Sequence, residues 1–382
     1  MSQPRLRVRN FAQIEFAEVY FGDLTLLVGP QATGKSLVLQ LLKLAVDGSR
    51  VAGALNRHGF SWKERNQFCA VYFGEGLAGA WTDETSVTLD ARAVEAPPRR
   101  ASRDRPHLFY IPAHRTLSIA EGWPAGFRSY KPDTPFVVRD FSEQLLELLT
   151  TKRGIEGEHV FPQKRRLKEQ IRHLIDEAVF HGGELKLLGE GPRREFKLVY
   201  SGAEIAYMAW TAGQREFIPL LLGIYHLVPL GRTSRVGPIE WIIIEEPEMG
   251  LHVKAVEAVM LLILELMDRG YRVVLSTHSP TVAEVVWGLQ QLRYTRAKPQ
   301  KLLEIFRIDK KRWDISGLAS RTLKKNFKVF HLDYGPERRV RTSDISALDA
   351  NSASESESTW GGLLSLSERV NRAVSSAAAS EE

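Results

Sequence analysis

Apolar residues fall in short dense runs separated by glycine- and proline-bearing breaks, the rhythm of buried strands alternating with helices. Residues 5–19 alternate loosely through Leu6, Val8, Phe11, Ile14, Phe16 and Val19, which predicts two short strands. Leu24–Val28 is an unbroken apolar run of strand length, and 37–46 has the length and apolar content of a buried helix. Between 51 and 90, glycines mix with aromatics, and 67–73 and 86–89 read as strands of a small, mainly β segment. A polar, proline-rich connector over 96–106 leads to the strand Leu108–Ile111, stopped by Pro112.

Helical patterns follow at 138–150 and 163–180. The second sets Leu167, Ile171, Leu174, Ile175 and Ala178 on one face. Lys164, Arg165, Arg166, Lys168 and Arg172 lie largely on the other, which predicts a basic exposed side. Glu184–Leu188 and 194–200 flank a Gly-Pro turn signal and read as a hairpin. An apolar helix is expected over 217–227, and a fully buried parallel-sheet strand at 241–244, where three isoleucines run together. A helix over 253–267, the strand Arg272–Ser276 and late strands at 302–308 and 328–332 complete the pattern. Beyond Asp344 the chain turns to Ser, Ala and Glu, too polar to offset chain entropy, so 341–382 reads as a disordered tail with one short helix over 360–370.

Composition narrows the class. The 382 residues suit one large or two medium domains, and 43% hydrophobic with 26% charged residues is ordinary for a globular protein. No apolar run approaches membrane-spanning length, and the N-terminus lacks a signal peptide's apolar core. Cys69 is the single cysteine, which excludes an internal disulfide, fits a reducing cytoplasm and favours a core thiol over catalysis. The net charge of +6 is uneven: 301–341 holds twelve Lys or Arg against five Asp or Glu. That stretch is either a solvated surface or a patch for nucleic acid or an acidic partner.

The chemistry centres on Gly29, Pro30, Gln31, Ala32, Thr33, Gly34, Lys35 and Ser36, which fit G-x-x-x-x-G-K-[ST] between the predicted strand and helix. Glycines let backbone N–H groups close around phosphate oxygens, and the helix N-terminus adds partial positive charge. Lys35 would reach the β- and γ-phosphates, and Ser36 would offer its hydroxyl to Mg²⁺. Glu245 and Glu246 end the triple-isoleucine strand, where carboxylates need a partner to offset burial. Glu245 would hold the metal through water, and Glu246 would take a proton from the attacking water. His278 sits at the end of a further strand and is a candidate γ-phosphate contact. His114 and Arg115 end the Leu108–Ile111 strand, with Arg115 facing either the nucleotide or a dimer partner, or serving structure. Phe11, Phe16 and Tyr20 are alternatives between adenine stacking and core packing. Thr211, Ala212, Gly213 and Gln214 open a helix, another anion-binding geometry. The arrangement expected is a triphosphate and magnesium held between the glycine turn and the glutamate pair at the tips of adjacent strands.

In their order, these motifs (P-loop, Ile-Pro-Ala-x-Arg, Thr-Ala-Gly-Gln, Glu-Glu-Pro-Glu-x-Gly-Leu-His and Ser-Thr-His-Ser-Pro) resemble the ABC-type ATPases of the SMC, RecF and OLD group, the AAA_21-like AAA family, over about residues 5–310. The resemblance implies an α/β P-loop NTPase head with a central, mainly parallel sheet, an antiparallel β subdomain and a helical insert. It divides the chain into an N-terminal lobe at 1–115, an insert at 116–200, a C-terminal lobe at 201–340 and the tail at 341–382. By position it makes Glu246 the catalytic base, assisted by Lys35 and His278, and Glu245 with Ser36 the metal ligands. Residues 250–252 then fall in the D-loop, and 211–214 match the signature, with Ala212 where a glycine is usual. It further implies ATP and Mg²⁺ as cofactors and an ATP-dependent, head-to-tail homodimer or higher homo-oligomer. No Toprim nuclease pattern follows His278, so a separate effector protein or DNA becomes the candidate partner, as in anti-phage defence. A nucleotide-gated scaffold is the alternative function, and an ABC transporter subunit a further one.

Overall fold

The computed structural model describes residues 3–379 apart from 132, 152–154, 156, 190–193, 232, 233, 309–312 and 336. In chain order the elements begin with β1 (Arg5–Phe11), β2 (Ile14–Tyr20), β3 (Leu24–Val28), α1 (Lys35–Arg57), α2 (Arg65–Phe73), β4 (Trp81–Leu89), β5 (Arg92–Ala93) and β6 (Leu108–Ile111). Next come β7 (Ile119–Ala120), β8 (Trp123–Pro124), α3 (Phe136–Thr150), β9 (His159–Phe161), α4 (Glu169–Ile175), β10 (Glu184–Leu188), β11 (Glu195–Tyr200) and β12 (Ala203–Ala206). The rest is α5 (Ala212–Leu227), β13 (Trp241–Glu245), α6 (Val253–Asp268), β14 (Arg272–Ser276), α7 (Pro280–Tyr294), α8 (Pro299–Ile305), α9 (Trp313–Thr322), β15 (Phe327–Tyr334), β16 (Val340–Asp344), α10 (Glu355–Ser358) and α11 (Ser365–Ala379).

Ten strands form one sheet in the order β5-β4-β1-β2-β16-β15-β3-β14-β13-β6. From β15 to β6 every neighbouring pair is parallel, and β1, β2, β4 and β5 pair antiparallel. All five residues of β3 and of β13 are buried, as strands with cover on both faces must be. One face packs Leu27, Ile243 and Val274 against α1 and α2. The other packs Leu24, Leu26, Val28 and Ile244 against α5, α6 and α7. A second sheet, β12-β11-β10-β9, is antiparallel. The expected hairpin is there as β10 and β11, while its Gly-Pro turn falls among residues 190–193, outside those described. Among the described residues no helix is long and apolar enough to cross a membrane.

Four local expectations are corrected. Residues 67–73 are helical within α2, because Phe68, Cys69, Tyr72 and Phe73 are buried at helical spacing. Residues 302–308 lie largely in α8, opened by Pro299 at its first position, with Leu302, Leu303 and Phe306 inward. The helix expected over 163–180 starts only at Glu169 and ends in a π-helical turn, Asp176–Phe180. Its basic side is partly interior: Arg166 is 2% exposed and donates to the carbonyls of Tyr225 and Val228, and Lys168 pairs with Glu265. Lastly, the tail is ordered at its root. β16 joins the main sheet between β15 and β2, and Trp360 is buried with its indole N–H on the Leu348 carbonyl at 3.0 Å. Backbone pairing and one tryptophan supply an anchor that composition alone does not reveal.

The basic stretch at 301–341 is also less free than its charge suggests. Lys301 pairs with Glu304, Arg321 with Asp268, Lys325 with Asp23, Lys328 with Asp344 and Arg341 with Glu15. Residues 309–312 and 336 of that stretch fall outside those described. Cys69 is a buried free thiol, pushed up to about 11 by burial, which suits packing and not nucleophilic chemistry.

Candidate nucleotide site

The glycine turn joins the C-terminal end of β3 to the start of α1. Gly29 has φ 140°, and a Cβ there would stand 2.1 Å from the Leu332 carbonyl oxygen, so β15 admits only glycine. Gly34 caps α1 at φ 84°. Lys35 folds back and donates to the carbonyls of Gly29 and Pro30, both at 2.8 Å, and Thr33 donates to Pro30 at 2.8 Å. Gln13 and Tyr334 donate to the Ala32 carbonyl at 3.1 and 2.8 Å, tying the loop to β15 and to the turn after β1. Burial lowers the Lys35 ammonium to about 8, against the opposing pull of Glu246, Glu248 and Glu245. The glycine turn and the glutamates therefore lie within each other's field.

The glutamates come from β13 and the turn after it. The sequence reading set the glutamate strand beside β3, and the structure corrects it: β14 runs between β3 and β13. That strand delivers Thr277 and His278 into the gap, so three strand ends meet at the site. Glu245 is 4% exposed, and burial raises its carboxyl above the usual range. Its Oε2 accepts from the Ala113 N–H at 3.0 Å. The Ser36 and Tyr110 hydroxyls stand near enough to oppose the upward push, yet Oε1 is buried without a hydrogen-bond partner. Glu246 has φ 42°, and its backbone N–H reaches the Ser276 carbonyl at 2.9 Å. Its carboxylate lies 3.6 Å from His278 Nε2. Burial, and then Lys35, lower the His278 imidazole below its ordinary value despite Glu246, so it is neutral at pH 7.

Mg²⁺ is a hard cation that takes oxygen ligands and retains waters. A buried carboxylate oxygen with no partner, beside a serine hydroxyl at a helix start, suits such an ion, so Glu245 and Ser36 fit the group.

Two residues without a role in the sequence reading also shape the site. Glu248 accepts from Thr277 Oγ1 at 2.7 Å and from the His278 N–H at 2.8 Å, and so fixes the histidine's turn. The third carboxylate of Glu-Glu-Pro-Glu was its visible signal. His331 is 5% exposed within β15, paired with Val28 at the end of β3, and is lowered by burial and by Lys35 against the opposing pull of Asp333. No sequence motif marks it.

Arg115 faces neither nucleotide nor partner. It is fully buried behind the glutamates and donates to the carbonyls of Glu216, Glu245 and Glu246 at 3.0, 3.0 and 3.2 Å. Its Nε lies 3.6 Å from the Glu216 carboxylate. His114, its neighbour, is exposed. Thr211 to Gln214 start α5 through a capping box: Thr211 Oγ1 accepts from the Gln214 N–H, and the Gln214 side-chain oxygen accepts from the Thr211 N–H. Gln214 Nε2 donates to the Val179 carbonyl and to the Tyr200 hydroxyl. Thr211 and Ala212 are exposed, and no hydrogen bond or ion pair among the described residues joins 211–214 to the glycine turn. Gly250 lies under this helix, where a Cβ would stand 2.9 Å from Glu216 Cγ. Phe11 packs in the core on Phe73 and Trp81, while Phe16 and Tyr20 lie under Arg9 and Arg5.

A parallel sheet carrying a P-loop on one strand, a carboxylate pair beyond the next strand and a histidine turn between them forms a candidate P-loop nucleotide site. Residues 201–284, which span the α5 start, the glutamates and the histidine turn, match the family model described as "AAA domain, putative AbiEii toxin, Type IV TA system". Among solved structures, the SMC head bound to the C-winged helix domain of ScpA is 10% identical, with a TM-score of 0.44 over 90% of this chain and 97% of that one. The SMC head domain from Thermotoga maritima is 12% identical, with a TM-score of 0.37 over 90% and 99%. A dimeric bacterial ABC transporter cassette is 13% identical, with a TM-score of 0.35 over 73% and 90%. Comparison with curated proteins gives no match.

Proposed function

We propose that this ATPase hydrolyses ATP with Mg²⁺ at the site of Lys35, Ser36, Glu245, Glu246 and His278, and that ATP joins two copies head to tail. Residues 29–36 hold the phosphates through backbone N–H groups, and Lys35 turns from the loop carbonyls to the β- and γ-phosphates. Glu245 and Ser36 would hold Mg²⁺, which would supply charge neutralisation at the phosphoryl oxygens. Glu246 accepts a proton as the water oxygen bonds to the γ-phosphorus and the bond to the ADP oxygen breaks. His278, neutral, donates to the γ-phosphate and orients the water with Glu246. The observation that carries this reading is the unpaired Oε1 of buried Glu245 beside the P-loop, since hydrogen-bond capacity is seldom left unmet in a buried charge without a ligand to meet it.

The exposed start of α5 supports the head-to-tail dimer. It offers backbone N–H groups at a helix N-terminus but, among the described residues, makes no hydrogen bond or ion pair with its own glycine turn, so its anion would be the nucleotide of a second copy. Loss of the γ-phosphate then removes the contact that favours the closed pair. The released or captured partner is a separate effector or DNA, with a defence role in keeping with the family description.

The test is Glu246→Gln. We expect ATP binding to persist, turnover to fall by at least about a hundredfold, and dimer to accumulate in size-exclusion chromatography with ATP. Equal turnover removes Glu246 from the chemistry. A scaffold in which binding alone assembles the complex is favoured by one feature: Gln214 is committed to its own cap and to Val179 and Tyr200. On that reading Lys35→Ala loses the partner and Glu246→Gln keeps it.

A further inference from the structure

At the N-terminal edge of the sheet, away from the nucleotide site, a cavity of about 820 Å³ opens between the far halves of α1, α3 and α5 and the segments at 104–106 and 236–239. Its volume is that of a small-molecule pocket. Leu148, Leu230, Pro238 and Ile239 supply an apolar wall, and His226 joins them, held neutral by burial that lowers it to about 4 and stacked on Phe109.

Three arginines, Arg50, Arg57 and Arg105, line the same space against two carboxylates, Asp104 and Glu147. Arg50 is bound by Asp140 at 2.9 Å. Arg57 acts on Asp140 only at a distance. Neither the Arg57 nor the Arg105 guanidinium makes a hydrogen bond or ion pair with a described residue. Two further lining residues have unmet capacity: the Gln144 side-chain oxygen and the Tyr225 hydroxyl are buried without partners.

The cavity is joined to the P-loop by the P-loop's own helix. α1 begins at Lys35, breaks helical geometry at Asp47 (φ −121°, ψ 21°) and continues to Arg50 and Arg57. At the break, Asp47 accepts from Lys43 at 2.8 Å and from the N–H groups of His107 and Leu108 at 2.9 and 3.1 Å. Lys43 also lies 3.8 Å from Asp140, the partner of Arg50.

We propose that this cavity is a regulatory site for a small organic anion, with an apolar ring system against Leu148 and Ile239 and a phosphate or carboxylate on Arg57 and Arg105. Guanidinium forks suit such acid groups, and those two are the cations free to take one. An anion there competes with Asp140 for Arg50. It thereby bears on the Lys43–Asp47 break and on the tilt of α1 that presents Lys35 and Ser36.

The probe is 1-anilinonaphthalene-8-sulfonate, an aromatic anion whose fluorescence rises in apolar surroundings. It is titrated with the P-loop filled by a non-hydrolysable ATP analogue and Mg²⁺. Wild type is expected to bind one dye per chain, and Arg57→Gln with Arg105→Gln to bind it about tenfold more weakly or less. Both side chains are exposed, and an unchanged melting temperature verifies the fold. Equal affinity in the two proteins overturns the site. At saturation the dye is expected to change ATP turnover in wild type and not in the double variant, and unchanged turnover overturns the link through α1. The titration needs no hydrolysis, so failure of the ATPase mechanism is told apart from failure of this site.

Discussion

Helix α1 carries two buried lysines two turns apart, and they live in opposite surroundings. Lys43 is fully enclosed and answered: Asp47 at 2.8 Å, the Leu108 carbonyl, and Asp140 at 3.8 Å, with Arg50 balancing Asp140 in turn. Lys35 has only the carbonyls of its own loop, while three glutamates act on it from beyond bonding distance. Around it Glu245 and Glu248 each keep one buried oxygen without a partner. Both clusters concentrate charge in a low-dielectric interior, so charge density alone does not mark a site. Unmet hydrogen-bond capacity does. The Lys43 cluster is closed and holds α1, α3 and β6 together, whereas the Lys35 cluster is complete only with a phosphate and a cation between its halves.

The sharpest way to break this contrast is to remove one charge from each cluster. Lys43→Met leaves Asp47 and Asp140 short of a counter-charge and is expected to cost about 3–5 kcal/mol in urea unfolding. Glu245→Gln removes a buried charge that lacks full compensation, so stability should stay within about 1 kcal/mol of wild type or rise, while turnover is lost. If Glu245→Gln unfolds the protein as severely as Lys43→Met, the two clusters are alike and the distinction fails.

Arg115 tests the seam between them. It ties the carbonyls behind Glu245 and Glu246 to Glu216 on α5, the helix that opens with Thr211. A lysine cannot reproduce a planar fork with three acceptors. Arg115→Lys should cost about 1–3 kcal/mol and lower kcat while leaving ATP affinity within about threefold of wild type, since Arg115 touches no phosphate position. Isothermal titration and steady-state kinetics separate the two, and a parallel loss of affinity would make Arg115 a general support only.

Much of this was legible in the sequence because strand ends declare themselves. Leu24–Val28, Leu108–Ile111 and Arg272–Ser276 are buried runs bounded by turn residues, and the motifs ride on their C-terminal tips. Strand order was not legible, since nothing local tells β13 that β14 will intervene between it and β3. Aromatic-rich α2 looked like a strand because β-branched and aromatic content was weighed above the spacing of Phe68, Tyr72 and Phe73. Arg115 stayed open between an outward and a structural role because a strand-end arginine beside a phosphate motif invites either reading. Only the tertiary packing shows three carbonyls waiting for it. The exposed basic face over 163–180 failed similarly: Arg166 and Lys168 found interior partners on α5 and α6.

The smallest expected effect is the most specific to Lys35. Its cationic form is the one that binds a triphosphate, and burial sets the free site near 8, below the ordinary lysine value. Below pH 8 the ammonium is already charged, so affinity for a non-hydrolysable ATP analogue should be level between about pH 7 and 7.5. As pH rises through 8 the folded protein must take up a proton in order to bind, and affinity should fall, approaching tenfold per unit, about 1.4 kcal/mol. A triphosphate at the ammonium raises its pKa, so proton uptake on binding should be measurable by calorimetry in buffers of different ionisation enthalpy, growing from pH 7.5 to 9. Lys35→Arg keeps its charge across this range, so whatever its absolute affinity, the slope above pH 8 should disappear. A level wild-type curve to pH 9 would mean that Lys35 is as well compensated as Lys43, and the asymmetry along α1 would lose its electrostatic basis.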